Sequence, residues 1–547
     1  MIMKNINERK ICVDIYADIK KGAPSQTALQ NMESYTGVDS RQGKKGNADD
    51  LNNGIPKHSR SFITRVVYGT LENYIYIDYI ISEFTGKPVS KLKPFIRNVL
   101  EISVYQLIFM DSVPAHAVIN EAVRMVASSP QRGLKGFVNA VLRNIERHKN
   151  SLPEVRGDEI KRLSVRYSVP EFIIRVISDT LEKLDFMNFA GDDRKKESAP
   201  VSPVSDLAQA AFAQASTVCD TGESASSRAS EKIDIRERVP SSSIPVNVNC
   251  ENKSGSTGAS GSPISLTEHV ESHCTPEKAQ NSPLHQATEG VLKGLRTHRP
   301  VTIRCNTTLT SPDRLKKLLS QEGVSVGEID TLPDYAMTIS GYDSISGLKA
   351  FKDGLFYVQD SGSILSGAVS DFKPGEKVLD LCGAPGGKAI GAALEGGVVE
   401  TGDVSEAKVS MIQENIARLK LQNINAHIRD ACVYDPSLEG AFDAVICDVP
   451  CSGIGIIGRK PDICMNLTPE GIRSLTELQK SILKNAVKYV KSGGRLIYST
   501  CTINVQENHE NGRFPEAYGF EPVFEKQWLP GVTGTTDGFY TKILKKT

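Results

Sequence analysis

The sequence predicts a multidomain protein: an all-α N-terminal domain, a small α+β domain, and a C-terminal α/β domain built on a doubly wound sheet. Three observations carry this. Apolar residues recur at three- and four-residue spacing through the first part of the chain. A long Ser/Thr/Pro-rich stretch then breaks all periodicity, and beyond Pro374 short apolar runs alternate with helical stretches. The length of 547 residues agrees, at roughly 100–200 residues per domain.

In the N-terminal part, Phe95, Ile96, Val99, Leu100, Ile102, Val104, Leu107 and Ile108 fall on one helical period. Val118, Ala122, Met125 and Val126 form a second such set, and Phe137, Val138, Val141, Leu142 and Ile145 a third. Pro94, Pro114 and Pro130 sit near the breaks, where proline is tolerated. The helical domain is placed at 1–150, with residues 32–56 as a polar loop inside it. Residues 151–186 read as a helical connector. Residues 187–290 are dominated by small and polar residues, cannot offset their ordering entropy, and are expected to be disordered. The small α+β domain is placed at 291–373, with a strand at Pro300–Arg304 and a helix over Asp313–Gln321 capped by Ser311. The α/β domain takes 374–547. Its expected strands are Lys377–Cys382, Val398–Asp403, Ala426–Arg429, Ala441–Asp448 and Arg495–Thr500, with helices at 405–421 and 468–490, which argues a parallel sheet.

Composition excludes several classes. Lys plus Arg and Asp plus Glu both number 65, so a tail-driven nucleic-acid binder is not expected, although a local basic face remains open. Eleven cysteines, an odd number with no CxxC pair, fit neither a disulfide framework nor a zinc ribbon, and no metal is expected. Neither a signal peptide nor a membrane span is found, so a soluble, cytoplasmic protein is expected.

The richest local signal is VLDLCGAPGGKA, Val378–Ala389, where an apolar strand enters a Gly-rich turn that opens a helix. An open α/β sheet binds its ligand at such a place. The spacing is not GxGxxG, and alanine follows Lys388, so neither a dinucleotide loop nor a P-loop is present. S-adenosylmethionine remains. Acidic residues at successive strand ends support it: Asp403 for ribose hydroxyls, Asp430 for the adenine amino group, and Asp448.

Two cysteines follow adjacent strands, Cys451 in Asp448-Val-Pro-Cys-Ser and Cys501 in Tyr498-Ser-Thr-Cys-Thr. An amino-group methyltransferase commonly shows Asp/Asn-Pro-Pro-aromatic at the first place; a thiol there suits different chemistry. Carbon 5 of a pyrimidine is a poor nucleophile until a thiolate adds at C6. That reaction needs a thiolate, an acid near N3, and a base that later removes the C5 proton. Cys501, Asp448 and Cys451 can meet these needs in one pocket. The remaining Cys12, Cys305, Cys382, Cys432, Cys447 and Cys464 are expected to be small buried apolar residues.

DLCGAPGGK, DVPCSGIGIIGRKPD and YSTCTINVQEN together resemble the motifs of the NOL1/NOP2/Sun family of RNA 5-methylcytosine methyltransferases, in particular its bacterial 16S ribosomal RNA branch. The helical N-terminal region, with VPAHAVINEAV and GFVNAVLRNI, resembles a NusB-like RNA-binding domain. The resemblance implies a Rossmann-like C-terminal domain, Cys501 as nucleophile and Cys451 as the residue that assists product release. It further implies S-adenosylmethionine contacts at Cys382, Gly383, Ala384, Pro385, Gly386, Gly387, Lys388, Asp403, Asp430 and Asp448. Ala389 stands where threonine is usual, Val449 where alanine is usual, and the helix after Gln506-Glu-Asn508 looks shortened.

The implied partner is RNA, 16S rRNA first, with the target cytosine unstacked. Phosphate contacts are expected from Arg132, Lys135, Arg143, Arg147, Arg459 and Lys460, and the protein is expected to act as a monomer. Two alternatives stay open: the same chemistry on tRNA or another rRNA site, and a noncatalytic RNA-binding protein.

Overall fold

Among the described residues, seven helices form the N-terminal domain: α1 (Glu8–Ile19), α2 (Ser25–Gln30), α3 (Lys57–Glu72), α4 (Tyr74–Thr85), α5 (Pro94–Phe109), α6 (Ala115–Ala127) and α7 (Lys135–Arg147). The computed structural model describes residues 7–36, 55–194, 282–533 and 536–547. Helix α5 starts with Pro94 in its first turn, where the missing N–H costs nothing. It is buried on nearly every side, from Ile96 through Leu107, as the central helix of a bundle must be. Its one buried carboxylate, Glu101, is matched by Lys20 (2.8 Å) and Arg97 (2.7 Å). At the polar loop, Met32–Thr36 forms a short 3-10 turn with Met32 buried, Ile55 rejoins the core, and the rest lies outside the described residues.

The connector is two helices, α8 (Glu159–Tyr167) and α9 (Glu171–Arg194). A helix over Pro283–Arg296 packs on them, and with α9 running on to Arg194 it corrects the expectation for 187–290 at both ends. Ser282 caps that helix by accepting from the His285 N–H, and Thr288, Val291, Leu292 and Leu295 are buried. Its apolar stripe is only about three turns long, which the adjoining polar composition masks. The remaining part, 195–281, lies outside the described residues.

The small domain is a four-stranded antiparallel sheet ordered β2-β3-β1-β4, from β1 (Val301–Cys305), β2 (Ser325–Gly327), β3 (Ala336–Ser340) and β4 (Phe356–Val358). The Pro312–Gln321 helix covers it, capped by Ser311 as expected.

The C-terminal sheet has seven strands: β5 (Lys377–Asp380), β6 (Val398–Asp403), β7 (Ile424–Ile428), β8 (Phe442–Asp448), β9 (Val490–Thr500), β10 (Phe520–Trp528) and β11 (Phe539–Lys546). Their order is β10-β11-β9-β8-β5-β6-β7. The first five in sequence pair in parallel, whereas β11 runs antiparallel to both β9 and β10. The sheet is thus mixed, not parallel throughout. The chain leaves β5 for β6 on one side and returns to β8 on the other, so the loops after β5 and β8 face one crevice.

Candidate active site

The loop after β5 is bent tightly enough to bring backbone to a ligand. Gly386 sits at φ +111°, a conformation that favours glycine, and its carbonyl starts the Gly387–Leu394 helix by accepting from the Ile390 N–H at 2.8 Å. A Cβ on Gly383 would stand 2.0 Å from Thr401 Oγ1, so only glycine fits beside β6. The small domain braces the loop from outside: Gln359 Nε2 and the Tyr357 hydroxyl both donate to the Gly387 carbonyl, at 3.1 and 3.2 Å.

A cavity of about 350 Å³ opens at this loop. Gly383, Ala384, Pro385, Gly387, Lys388 and Asp448 line it, and Asp380 and Gln26 join them. Lys388 is buried, and its ammonium meets Asp448 Oδ2 at 2.6 Å and donates to Ser363 Oγ at 3.0 Å. Asp448 Oδ1 accepts from the Ser499 hydroxyl at 2.8 Å. The Phe539 ring lies 5.0 Å from the same ammonium. Asp380, absent from the sequence-based set, is the unexpected member. Burial, with Asp448 nearby, pushes its carboxyl up to about 7, and its Oδ2 has no partner although the residue is 1% exposed. Its signal was present in the strand end Leu379-Asp380-Leu381, two residues before Cys382.

Asp403 and Asp430 end β6 and follow β7 as expected, but neither they nor Cys382 and Gly386 line this cavity. Asp403 is buried and pairs with Lys408 at 3.2 Å; Asp430 is exposed and accepts from the Cys432 N–H. Cys432 itself is exposed, which corrects its assignment to the core: the turn after β7 carries it outward, and Ala431 is buried instead. Cys12, Cys305, Cys447 and Cys464 are buried, and Cys382 partly so.

The two thiols past β8 and β9 meet. Cys451 Sγ and Cys501 Sγ are 3.2 Å apart, and both residues are partly buried. The hydrogen bond to Cys501, followed by burial, holds the Cys451 thiol well above the usual range. Fully buried Glu507 anchors both loops: its carboxylate accepts from the Ser452 N–H (2.8 Å), Gln479 Nε2 (3.0 Å) and Asn504 Nδ2 (3.0 Å). Gln479 Nε2 also reaches the Pro450 carbonyl at 2.9 Å, and Ser452 Oγ pairs with Thr502 Oγ1 at 2.7 Å. The Gly455 N–H completes the link by donating to the Cys501 carbonyl at 3.1 Å. Nothing local in the sequence marks Gln479, which lies in the long Pro469–Tyr489 helix and acts across the fold.

Of the residues expected on phosphate, Arg132, Lys135, Arg147 and Lys460 are exposed, whereas Arg143 pairs with Glu146 at 3.2 Å. Arg459 lines the cavity and is held by Asp537.

A crevice at the strand switch, with a Gly-rich loop and a buried carboxyl beside it, defines a Rossmann-type domain, and its match to a methyltransferase family makes it an S-adenosylmethionine-dependent methyltransferase domain. The matches are more particular. Residues 368–512 match the family model of the 16S rRNA methyltransferase RsmB/F, and residues 7–147 match that of the NusB family. The chain therefore carries a NusB-type domain ahead of an RsmB/F-type methyltransferase domain. It is 28% identical to the probable ribosomal RNA small subunit methyltransferase B of Bacillus subtilis, over 90% of this chain and 92% of that one. With the ribosomal RNA small subunit methyltransferase B of Escherichia coli it shares 24% over 91% of this chain and 93% of that one. In fold it follows the crystal structure of PH0851, with a TM-score of 0.65 at 21% identity, covering 99% of this chain and all of that one. Among the described residues no helix is long and apolar enough to cross a membrane.

Proposed function

We propose that the protein methylates C5 of a cytosine in small-subunit ribosomal RNA through a covalent cysteine–C6 adduct. The observation that carries this is the thiol pair: two sulfurs 3.2 Å apart at adjacent strand ends, beside an Asp448 that also borders the Gly-rich loop. S-adenosylmethionine fits that cavity. Gly383 and Gly387 line it without a side chain, and the partnerless oxygen of Asp380 suits the ammonium of the cofactor's aminoacyl end. Asp403 and Asp430, at the neighbouring strand ends, are the carboxylates proposed for its nucleoside. When bound it supplies an electrophilic methyl group.

The chain's own residues do the rest. Cys501 attacks C6, forming an S–C6 bond and leaving C5 electron-rich. The proton taken up at N3 is delivered by Asp448, which draws it from the Lys388 ammonium 2.6 Å away. Once Cys501 is bonded to carbon, the hydrogen bond that held up the Cys451 thiol is gone. Cys451 then releases its proton to solvent and takes the proton from methylated C5. The electron pair of that C–H bond restores the C5–C6 double bond, N3 returns its proton, and Cys501 leaves as thiolate. The exposed cations of α7 and its flank serve the RNA backbone, and the NusB-type domain is the surface proposed to hold the RNA.

Bisulfite sequencing of ribosomal and transfer RNA, with and without the gene for this chain, tests the reading. One small-subunit rRNA cytosine should be protected only when the protein is present. Protection confined to tRNA would move the substrate; no change anywhere would remove the reading. In vitro, Cys501→Ala should still bind S-adenosylmethionine while transferring nothing.

A further inference from the structure

Arg459 lines a second recess besides the cofactor cavity. It holds about 320 Å³, and its wall includes Tyr68 and Glu72 from α3, His298 and Arg299 ahead of β1, and Asp537 ahead of β11. The charges in that wall cancel. Asp537 takes both Arg299, at 2.9 Å, and Arg459, while Glu72 lies 3.9 Å from His298. A phosphate would find no uncommitted pair of cations there. A neutral heterocycle would find an aromatic ring, Tyr68, together with carboxylate acceptors and guanidinium donors at its edges. Those are the groups that hold an unstacked base.

The recess also lies close to the chemistry. Asp537 precedes Gly538, whose N–H donates to the Gly455 carbonyl at 2.9 Å; Gly455 in turn donates to the Cys501 carbonyl. Arg459 lies four residues after Gly455 in the loop after Cys451. The recess is thus tied to the Cys501 backbone through two hydrogen bonds.

We propose that the recess is a subsite for an unstacked nucleobase flanking the target cytosine, with Tyr68 of the N-terminal domain as its stacking platform. This rests on the RNA reading above and adds to it: the N-terminal domain contributes to base recognition at the active site, besides holding RNA at a distance.

The test uses the full-length enzyme and a synthetic RNA hairpin carrying the mapped cytosine. Nucleotides around the target are replaced singly by abasic ribose, and kcat/KM is measured for wild type, Tyr68→Ala and Tyr68→Phe, with the S-adenosylmethionine Kd alongside. One abasic position should cost wild type roughly tenfold, the scale of a lost base–aromatic stack. Tyr68→Ala should lose about as much on intact RNA and little more on that abasic RNA. Tyr68→Phe should stay near wild type, and the cofactor Kd should not move. Losses that multiply, a Phe variant as poor as Ala, or the absence of any sensitive position would each overturn the subsite. If wild type fails on the intact hairpin, the RNA reading falls and the subsite with it.

Discussion

Glu507 shows how much of this site depends on groups that never touch a substrate. It is fully buried, yet it fixes the amide after Cys451 and, through Asn504 and Gln479, the turn that follows Cys501. Removing an acceptor with three buried donors leaves those donors unpaired, at about 1–3 kcal/mol each. Glu507→Ala should therefore lower the melting temperature, and it should cut kcat by at least about tenfold while the cofactor Kd stays constant. A stability loss with unchanged kcat would show that the network holds the fold and not the sulfurs. The residues proposed to act directly were legible. Cys451, Cys501, Asp448 and the Gly-rich loop lie in short runs whose spacing follows from strand, turn and helix. Gln479 and Glu507 were not assigned, because their partners come from distant parts of the chain and no local pattern encodes that meeting. Asp380 was overlooked for a different reason: an acidic strand end beside a glycine loop looks ordinary until its buried, partnerless oxygen is seen.

At the scale of elements, parallel strands β5, β6, β8 and β9 were legible because burial on both faces leaves near-continuous apolar runs. Strand β10 was not. Most of its side chains are exposed or half-buried, and a bulge between Pro522 and Phe524 interrupts its register with β11. Within it, Glu525 meets His509 at 2.6 Å, Tyr540 at 2.7 Å and Lys542 at 3.1 Å. Burial alone would raise this carboxyl, but those partners outweigh it and lower it from an ordinary 4.5 to about 2. A carboxyl lowered in the folded state stabilises above its unfolded value and loses that contribution as pH falls through its folded value. The contribution should thus be complete above about 4.5 and vanish toward 2. Melting temperature measured across that window should fall more steeply for wild type than for Glu525→Gln. Parallel curves would mean that Glu525 is not lowered as described.

For the whole molecule, the joint between domains is the informative feature. One apolar cluster gathers Ile173, Ile174 and Ile177 of α9, Val291, Leu292 and Leu295 of the Pro283–Arg296 helix, and Ile454, Ile457 and Ile503 beside the two cysteines. On the other flank, the Ser25 hydroxyl donates to Asp462 and the Tyr74 hydroxyl to the Cys464 carbonyl at 2.9 Å. The N-terminal domain is thereby seated on the loop that carries Cys451. Boundaries were the weakest part of the sequence reading, since a short amphipathic helix beside a polar stretch takes on its neighbour's composition. The consequence is testable by deletion. Removing 187–290 takes Leu284, Ala287 and the 2.7 Å Tyr167–Glu289 hydrogen bond with it, whereas removing 197–278 spares them. The longer deletion should melt at least about 5 °C lower than the shorter one. Equal melting temperatures would show that the first turns of that helix add nothing.

The central claim is the division of labour between two sulfurs, and a denaturing gel tests it most directly. Cys451→Ala, incubated with unmodified RNA and S-adenosylmethionine, should attack and methylate, then stall, because nothing removes the C5 proton and the S–C6 bond cannot break. It should run as a slow, protease-sensitive protein–RNA band that carries the methyl group. Cys501→Ala and the double variant should show no such band. A band from Cys501→Ala and none from Cys451→Ala would reverse the two roles, and no band from either single variant would contradict the release role of Cys451.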